Sequence, residues 1–311
     1  MIQYFKTVNG RLLQIEQVEK DCWINVIAPT PAEIDFLSQK LLITPDLIID
    51  PLDADENPRV EQHKNCMLIV CRVPLEIGFE NDLPYITLPL GIILKRDIII
   101  TVSSKQTEIT QKFVEQRVRS LNVQYRDRMV LQLFLRASIL YLKYLKNINN
   151  KADEIQITLH KSTRNRELVQ LLNLEKSLVY FNTSLKSNEL MMMRLQQLSF
   201  MTNLKLTERE LIDDVVIETK QAIEMAKIYS NILGNMMGAH SSIISNNLNI
   251  TIRFLTSVTI ILSIPILIAS LYGMNVHVPL EENPYAFWII MFVAILLSSI
   301  GVLYFRKKNL F

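Results

Sequence analysis

The sequence lacks the motifs of a soluble enzyme. Its 311 residues contain no glycine-rich phosphate loop and no nucleophile elbow, and its four histidines are scattered rather than spaced as metal ligands. The three cysteines, Cys22, Cys66 and Cys71, also lack metal or redox spacing, so we expect buried, reduced thiols. The sequence therefore predicts neither an enzymatic activity nor a Cys/His metal site.

An excess of charge of either sign is also missing. The chain has 33 lysines and arginines against 31 aspartates and glutamates, a formal net charge of +2, and no basic patch alternates with aromatic residues. This balance argues against nucleic acid as a partner. The first 17 residues have neither a long apolar core nor a cleavage site, so they predict no signal peptide and a cytoplasmic N-terminal part.

Helix-breaking residues are absent from the middle of the chain. Glycine does not occur over residues 92–233 or proline over residues 90–264, whereas Leu, Lys, Glu, Gln and Met recur at helical spacing. We predict a cytoplasmic helical region over 126–206 and a stalk helix over 207–272. At 1.5 Å per residue such a stalk spans on the order of 95 Å, three times the thickness of a bilayer, so it would enter the membrane directly.

Residues 1–125 have the composition of an α/β domain. Thr30, followed by Pro31 and Glu33, predicts the start of a helix. Runs rich in Ile, Val and Leu and bounded by Pro, Gly, Asn or Asp predict strands; they cover residues 22–29, 66–74 and 83–104. The predicted fold is an α+β cytoplasmic domain followed by a long stalk helix and two C-terminal transmembrane helices.

The two transmembrane helices are predicted from long uncharged runs. Residues 254–272 end the stalk, and residues 284–305 form the second run, with a short loop over 273–283 between them. Each run is long enough to cross a bilayer, so a lipid bilayer is an expected partner.

Charges flanking the two runs predict their orientation. Arg253 precedes the first run and a basic tail over 306–311 follows the second, whereas the loop carries Glu281 and Glu282 and no lysine or arginine. By the positive-inside rule both termini lie in the cytoplasm and the loop lies outside the cell membrane. The two glutamates would raise the cation concentration there, or they are simply solvated.

The first run differs from the second in carrying a polar stripe. Seven residues at alternating steps of three and four share one helix face, and five of them are polar; they are Asn249, Ile252, Thr256, Thr259, Ser263, Ile266 and Ser270. Small hydroxyl residues can also pack helices together or bond to their own backbone. A stripe of this length favours a wet, pore-lining face, and two spans can enclose a pore only in a homo-oligomer.

The first run ends in the segment Tyr272-Gly273-Met274-Asn275, which is followed by the short acidic loop, the second run and the basic tail. This arrangement resembles the CorA family of magnesium transport proteins. The resemblance covers the whole chain and is most specific over residues 245–308. It implies a funnel-shaped homopentameric channel whose five stalk helices line the pore, with Mg²⁺ as the transported ion and possible passage of Co²⁺ or Ni²⁺.

The resemblance also implies roles for individual residues. The motif loop, with Gly273 and Asn275, would be the selectivity filter, where neutral oxygens bind hydrated Mg²⁺, and Tyr272 and Met274 would brace it. Asn249 and Ile252 would form rings at the cytoplasmic neck. Leu255, Thr256 and Thr259 lie close to those rings, followed by Ser263, Ile266 and Ser270.

A regulatory metal site is implied on the stalk. Asp214, with Asp213 beside it, matches a family acid that helps to bind Mg²⁺ between subunits, and bound Mg²⁺ would hold the closed state. An exposed helix face is the simpler interpretation of these acids. The partner acid on the neighbouring subunit is open among Asp50, Asp53, Glu80 and Asp82.

Two alternatives remain at the sequence level. A zinc-specialised transporter of the same superfamily is one, although that branch typically carries Ile where Met274 stands. A membrane-anchored sensor or scaffold that does not conduct is the other, although a mere anchor needs no aligned polar stripe. Ion flux separates these possibilities.

Overall fold

A computed structural model describes residues 1–116, 118, 121–159, 165–198, 206–280 and 283–308. The chain divides into two compact units, Met1–Asn235 and Met236–Phe311. The first unit contains the β-sheet and the helices packed on it, and the second contains two long apolar helical segments.

The first unit is built on a seven-stranded sheet. The strands are β1 Ile2–Val8, β2 Arg11–Ile15, β3 Cys22–Ile27, β4 Arg59–His63, β5 Cys66–Glu76, β6 Tyr85–Lys95 and β7 Ile98–Ser103. Their order across the sheet is β2-β1-β3-β7-β6-β5-β4. Only the pairing of β3 with β7 is parallel, and the other pairings are antiparallel. The three strand regions predicted from the sequence are therefore confirmed, and β1, β2 and β4 are additional.

Helices cover both faces of this sheet. The helices of the first unit are α1 Pro31–Leu41, α2 Asp46–Ile49, α3 Glu108–Val114, α4 Arg126–Leu159 and α5 Asn165–Gln196, with a 3-10 turn at Asp50–Leu52. One face of the sheet packs on α1 and α2, because Cys22, Ile24 and Val26 of β3 share a core with Leu37 and Ile48. The alternate residue Trp23 points to the other face, where it meets Phe113 of α3.

Local sequence explains why α1 begins where it does. The Thr30 hydroxyl accepts a hydrogen bond from the backbone N–H of Glu33, and the Glu33 carboxylate accepts one from the backbone N–H of Thr30. This capping box satisfies two of the free N–H groups at the helix start, and Pro31 occupies a position that needs no donor. The predicted helix start is therefore confirmed.

Helix α5 is fixed to the sheet through one asparagine. Strand β4 begins at Arg59, which pairs with Val70, so Arg72 of β5 lies beyond the edge of this strand partner. The Asn188 amide replaces the partner: its oxygen accepts from the backbone N–H of Arg72 at 2.9 Å, and its nitrogen donates to the Arg72 carbonyl at 2.7 Å. The Tyr141 hydroxyl of α4 donates to the same carbonyl at 3.0 Å. Both long helices are thereby held in register with the sheet.

The remaining helices are α6, Leu206–Tyr272, and α7, Ala286–Lys307. The 67 residues of α6 form one continuous helix that includes Pro265, as the scarcity of glycine and proline predicted. In the first unit the Thr219 hydroxyl of α6 lies 2.8 Å from the Ser138 hydroxyl of α4. The predicted α/β domain, long helix and C-terminal apolar helix are confirmed.

The cysteines follow the sequence prediction with one difference. All three are free thiols, and Cys22 and Cys71 are buried, whereas Cys66 is only half-buried. Complete burial raises the pKa of the Cys71 thiol to about 12, which leaves it protonated and unreactive at neutral pH. Cys66 lies at the end of β5 next to a turn, where the core no longer covers it.

Candidate ion pathway

Two helices are long and apolar enough to span a membrane by length and composition. They are α6, over Glu208–Tyr272, and α7. Most of their apolar side chains in the second unit are exposed. In a membrane protein, lipid or further copies of the chain cover an apolar surface of this kind.

One face of α6 packs on α7 within the second unit. A methyl group built on Gly301 of α7 would lie 3.6 Å from Ile261 and 3.7 Å from Ile264, so these two helices approach closely at this glycine. Ser257 of α6 and Ala294 of α7 are also buried, with 3% and 8% of their surfaces exposed. Small residues at this contact are what helix association in a membrane requires.

The polar stripe lies on the other side of α6. All seven stripe residues are exposed in the single chain. Ile261 stands two residues after Thr259 and two before Ser263, which places it about 200° around the helix from each. The stripe therefore faces away from α7, and Leu255, which is exposed as well, flanks it.

Two stripe hydroxyls bond to the helix backbone. Thr259 donates to the carbonyl oxygen of Leu255 at 2.8 Å, and Ser263 donates to that of Thr259 at 2.8 Å. This is the local bonding that serine and threonine adopt within helices. It uses the hydroxyl hydrogen and leaves the oxygen lone pairs able to accept a hydrogen bond from water.

Helix α6 ends at Tyr272, and Gly273 follows it directly. The backbone N–H of Gly273 donates to the Ala269 carbonyl at 3.0 Å and closes the last turn. The φ angle of Gly273 is outside the left-handed region, and a methyl group there would lie 3.2 Å from the Ala269 oxygen. A side chain at this position would therefore sit tightly against the backbone of the last helical turn.

The residues after Gly273 are open to the surroundings. Met274 exposes 54% of its surface, Asn275 is exposed and Tyr272 is half-buried. Within the described ranges, no hydrogen bond engages the Asn275 amide. Its carbonyl oxygen is thus free to accept hydrogen bonds from the water around a cation.

The end of the loop forms a turn that starts α7. The Asn283 side chain accepts from the backbone N–H of Tyr285 at 2.9 Å, and the Asn283 N–H donates to the Leu280 carbonyl at 3.0 Å. The loop acids Glu281 and Glu282, predicted to lie at the outer mouth of a pore, are outside the described residues.

The acids predicted for the regulatory site do not meet within one chain. Asp213 and Asp214 are exposed on α6, and no group of three or more Asp, Glu, His or Cys side chains among the described residues is arranged to hold a metal. Asp50 is paired with Arg59 at 2.7 Å, and the Asp53 carboxylate accepts a hydrogen bond from the Asp55 backbone. A further candidate pair, Glu80 and Asp82, is exposed on the β5–β6 loop.

Sequence reasoning missed the contact between α6 and α7. Gly301, Ser257 and Ala294 carry no chemistry of their own, yet they set which face of α6 stays open. The signal was present as small residues within two apolar runs, but small residues alone do not tell which ones meet.

Comparison with known proteins identifies the family. The family model described as "CorA-like Mg2+ transporter protein" matches residues 19–307. The Cobalt/magnesium transport protein CorA of Methanocaldococcus jannaschii is 30% identical over 299 residues, 92% of this chain and 90% of the relative. The Magnesium transport protein CorA of Helicobacter pylori strain 26695 is 22% identical over 315 residues, covering 98% of this chain and 94% of the relative.

A solved structure has the same fold as this chain over nearly its whole length. The complete structure of the CorA magnesium transporter from Methanocaldococcus jannaschii superposes with a TM-score of 0.85 at 25% sequence identity, covering 99% of this chain and 98% of that chain. The resemblance read from residues 272–275 and the two apolar runs is therefore correct: the chain belongs to the CorA-like Mg2+ transporter family.

Proposed function

We propose that the protein is a passive Mg²⁺ channel formed by a homo-oligomer, five copies by family resemblance, with the α6 stripes facing a common axis. One observation carries this proposal: the stripe is exposed and points away from α7, the only membrane partner that its own chain supplies in the described residues. A non-conducting anchor would gain nothing from leaving Thr259 and Ser263 on that side. Membership of a transporter family supports the same conclusion and argues against an enzyme.

Asn275 supplies the chemistry of the proposed filter. Mg²⁺ gives up its water reluctantly, so a ring of neutral amide oxygens would bind the hydrated ion through its inner-shell water. The free amide and the exposed Gly273-Met274 backbone suit this role. A doubly charged ion gains ~2.3 kcal/mol per elementary charge per 100 mV of membrane potential, which is enough to drive uptake without ATP.

Orientation and regulation are parts of the same proposal. With Arg253 and the residues 306–308 on one side of the membrane and no lysine or arginine in the loop, both termini lie in the cytoplasm and the filter lies outside. Asp214 and Asp213 are exposed in the single chain, which leaves them available to Mg²⁺ shared with a neighbouring copy.

The test is Mg²⁺ flux into liposomes that contain the purified protein and a Mg²⁺-sensitive dye. We expect flux from the parent, a loss of at least tenfold in Asn275→Ala, and parental flux in the matched control Asn150→Ala, which removes an exposed amide from α4. Normal flux in Asn275→Ala would disprove the filter assignment, and no flux in the parent would favour the sensor. Replacing Mg²⁺ by Co²⁺ or Zn²⁺ ranks the ions, and a preference for Zn²⁺ would favour the zinc-specialised alternative.

A further inference from the structure

A basic pocket lies at one end of the sheet in the first unit. It has a volume of about 400 Å³, which is within the range of small-molecule sites. Four separate segments line it: Val18, Lys40, Leu41, Leu42, Asn65, Lys95, Arg96 and Ile98. Three of these residues are cations and none is an acid, so the pocket has an uncompensated positive lining.

The fold fixes the ammonium group of Lys95. Its Nζ donates to the carbonyl oxygens of Leu41 and Leu42, the latter at 2.8 Å, at the C-terminal end of α1. Cations are stabilised at this end of a helix by the exposed carbonyl groups. A lysine has three N–H donors, so one remains for a ligand.

The other two cations have no acidic partner in the described chain. The Lys40 ammonium lies 5.0 Å from the ring centroid of Phe36 and 6.0 Å from that of Tyr4, a cation–π arrangement that leaves its donors unused by carboxylates. Arg96 is exposed, and neither an ion pair nor a side-chain hydrogen bond engages its guanidinium within the described ranges. Five N–H donors are therefore available at the rim.

Two residues of the pocket are held in strained backbone conformations. Leu42 has φ +48° and Arg96 has φ +42°, in the left-handed region that favours glycine and is unfavourable for residues with a side chain. Leu42 also exposes 83% of its surface, so burial does not compensate for the strain. Glycine would suit both positions for folding alone, which points to a use for the two side chains at the pocket.

We propose that this pocket binds a phosphate-bearing organic anion of nucleotide size. Phosphate oxygens would accept hydrogen bonds from the third N–H of Lys95 and from Arg96, with Lys40 adding charge. The apolar part would cover Leu42 and the neighbouring Val18 and Ile98, which an inorganic anion cannot do. The site is separate from the proposed ion pathway and does not depend on conduction.

Binding of ATP and AMP to the purified full-length protein, measured by titration calorimetry without Mg²⁺, tests the proposal. Arg96→Gly is the informative variant, because it removes a ligand contact and also relieves the strain at φ +42°. We expect it to weaken binding at least tenfold while the protein stays as thermally stable as the parent or becomes more stable. Lys40→Gln should weaken binding several-fold, and Lys146→Gln, an exposed lysine of α4, is the matched control and should bind as the parent does.

Three outcomes would overturn the assignment. One is that neither ATP nor AMP binds the parent. Another is equal binding by Arg96→Gly and the parent. The third is competition by inorganic phosphate at the same concentration as AMP, which would show that the apolar wall contributes nothing. A correctly folded Arg96→Gly, shown by its thermal transition, separates lost binding from lost structure.

Discussion

Ser263 donates its hydroxyl hydrogen to the carbonyl oxygen of Thr259 at 2.8 Å, and both residues belong to the exposed stripe of α6. Because the hydroxyl hydrogen is bonded to the backbone, only the lone pairs of the hydroxyl oxygen remain for other partners. Each such hydroxyl can therefore only accept a hydrogen bond from the pore side. The water molecules around a cation point their hydrogens outward, so a wall of acceptors complements a hydrated cation and not a hydrated anion. A stripe whose hydroxyls bond to the backbone is thus compatible with a pore lining.

Removing the Ser263 hydroxyl should reduce Mg²⁺ flux. Ser263→Ala deletes an acceptor from every copy around the axis, and at ~1 kcal/mol for a hydrogen bond the expected loss is about fivefold. The matched control is Ser299→Ala in α7, because Ser299 makes the same bond to the Ile295 carbonyl at 2.8 Å. Liposome flux measures both variants, and equal losses in the two would mean that the hydroxyl matters for the helix backbone and not for the ion.

Replacing Gly91 with alanine should destabilise the protein. A methyl group on Gly91 of β6 would clash with the ring of Pro51, because the 3-10 turn packs directly on the sheet there. The proline ring is rigid, so the turn or the strand must move, and overpacking of this kind costs about 1–3 kcal/mol. Thermal unfolding in detergent measures the change.

Gly238→Ala is the opposite control for Gly91. Apart from the helix's own neighbouring backbone, no atom lies within 4 Å of the added methyl group, and Gly238 lies within helix α6. Alanine should therefore stabilise the helix by about 0.5–1 kcal/mol. A destabilised Gly238→Ala would indicate that this exposed position contacts another copy in the assembled protein.

Removing the Asp214 carboxylate should reduce the stabilisation of the protein by Mg²⁺. A cation that binds the native state raises its free energy of unfolding by RT ln(1 + [Mg²⁺]/Kd), so the thermal midpoint of the parent should rise with Mg²⁺. We expect a smaller rise for Asp214→Ala and the parental rise for Glu224→Ala, another exposed acid of α6. No rise in the parent would disprove the regulatory site, and an unchanged rise in Asp214→Ala would assign it to other acids.

The sequence predicted those elements whose signals are local. Thr30 and Glu33 encode a helix start within four residues, and the lack of glycine over 92–233 and of proline over 90–264 indicated the helical middle of the chain, including the first part of α6. Strand β1 escaped prediction because polar residues interrupt its apolar ones. Strand β4, Arg59–His63, escaped because it is polar except for Val60, and pairing with β5 makes it a strand.

Sites that join distant segments could not be predicted from the sequence. The basic pocket brings Lys40 of α1 to Lys95 and Arg96 at the end of β6, and local sequence patterns cannot relate these distant segments because the packing of α1 on the sheet decides that they meet. The polar stripe was readable because helical periodicity places its members on one face. The direction of that face relative to α7 depends on the packing at Gly301 and needed the structure.

Acid should destabilise the first unit through Glu108. Burial acts to raise the pKa of this carboxyl, but hydrogen bonds from Lys112, Lys143 and Tyr144 outweigh it and lower the pKa to about 2, from an ordinary value near 4.5. A carboxylate whose pKa is lower in the folded state stabilises that state above the unfolded pKa, and the stabilisation disappears as pH falls from about 4.5 towards 2. The parent should therefore lose more stability across this window than Glu108→Gln, whose amide does not titrate.

Thermal midpoints at a series of pH values between 2 and 6 measure the difference. The control is Glu80→Gln, which should follow the parent because Glu80 is an exposed acid without an ion pair in the described chain. Parallel pH profiles for Glu108→Gln and the parent would mean that the Lys112–Glu108–Lys143 contacts do not persist in solution.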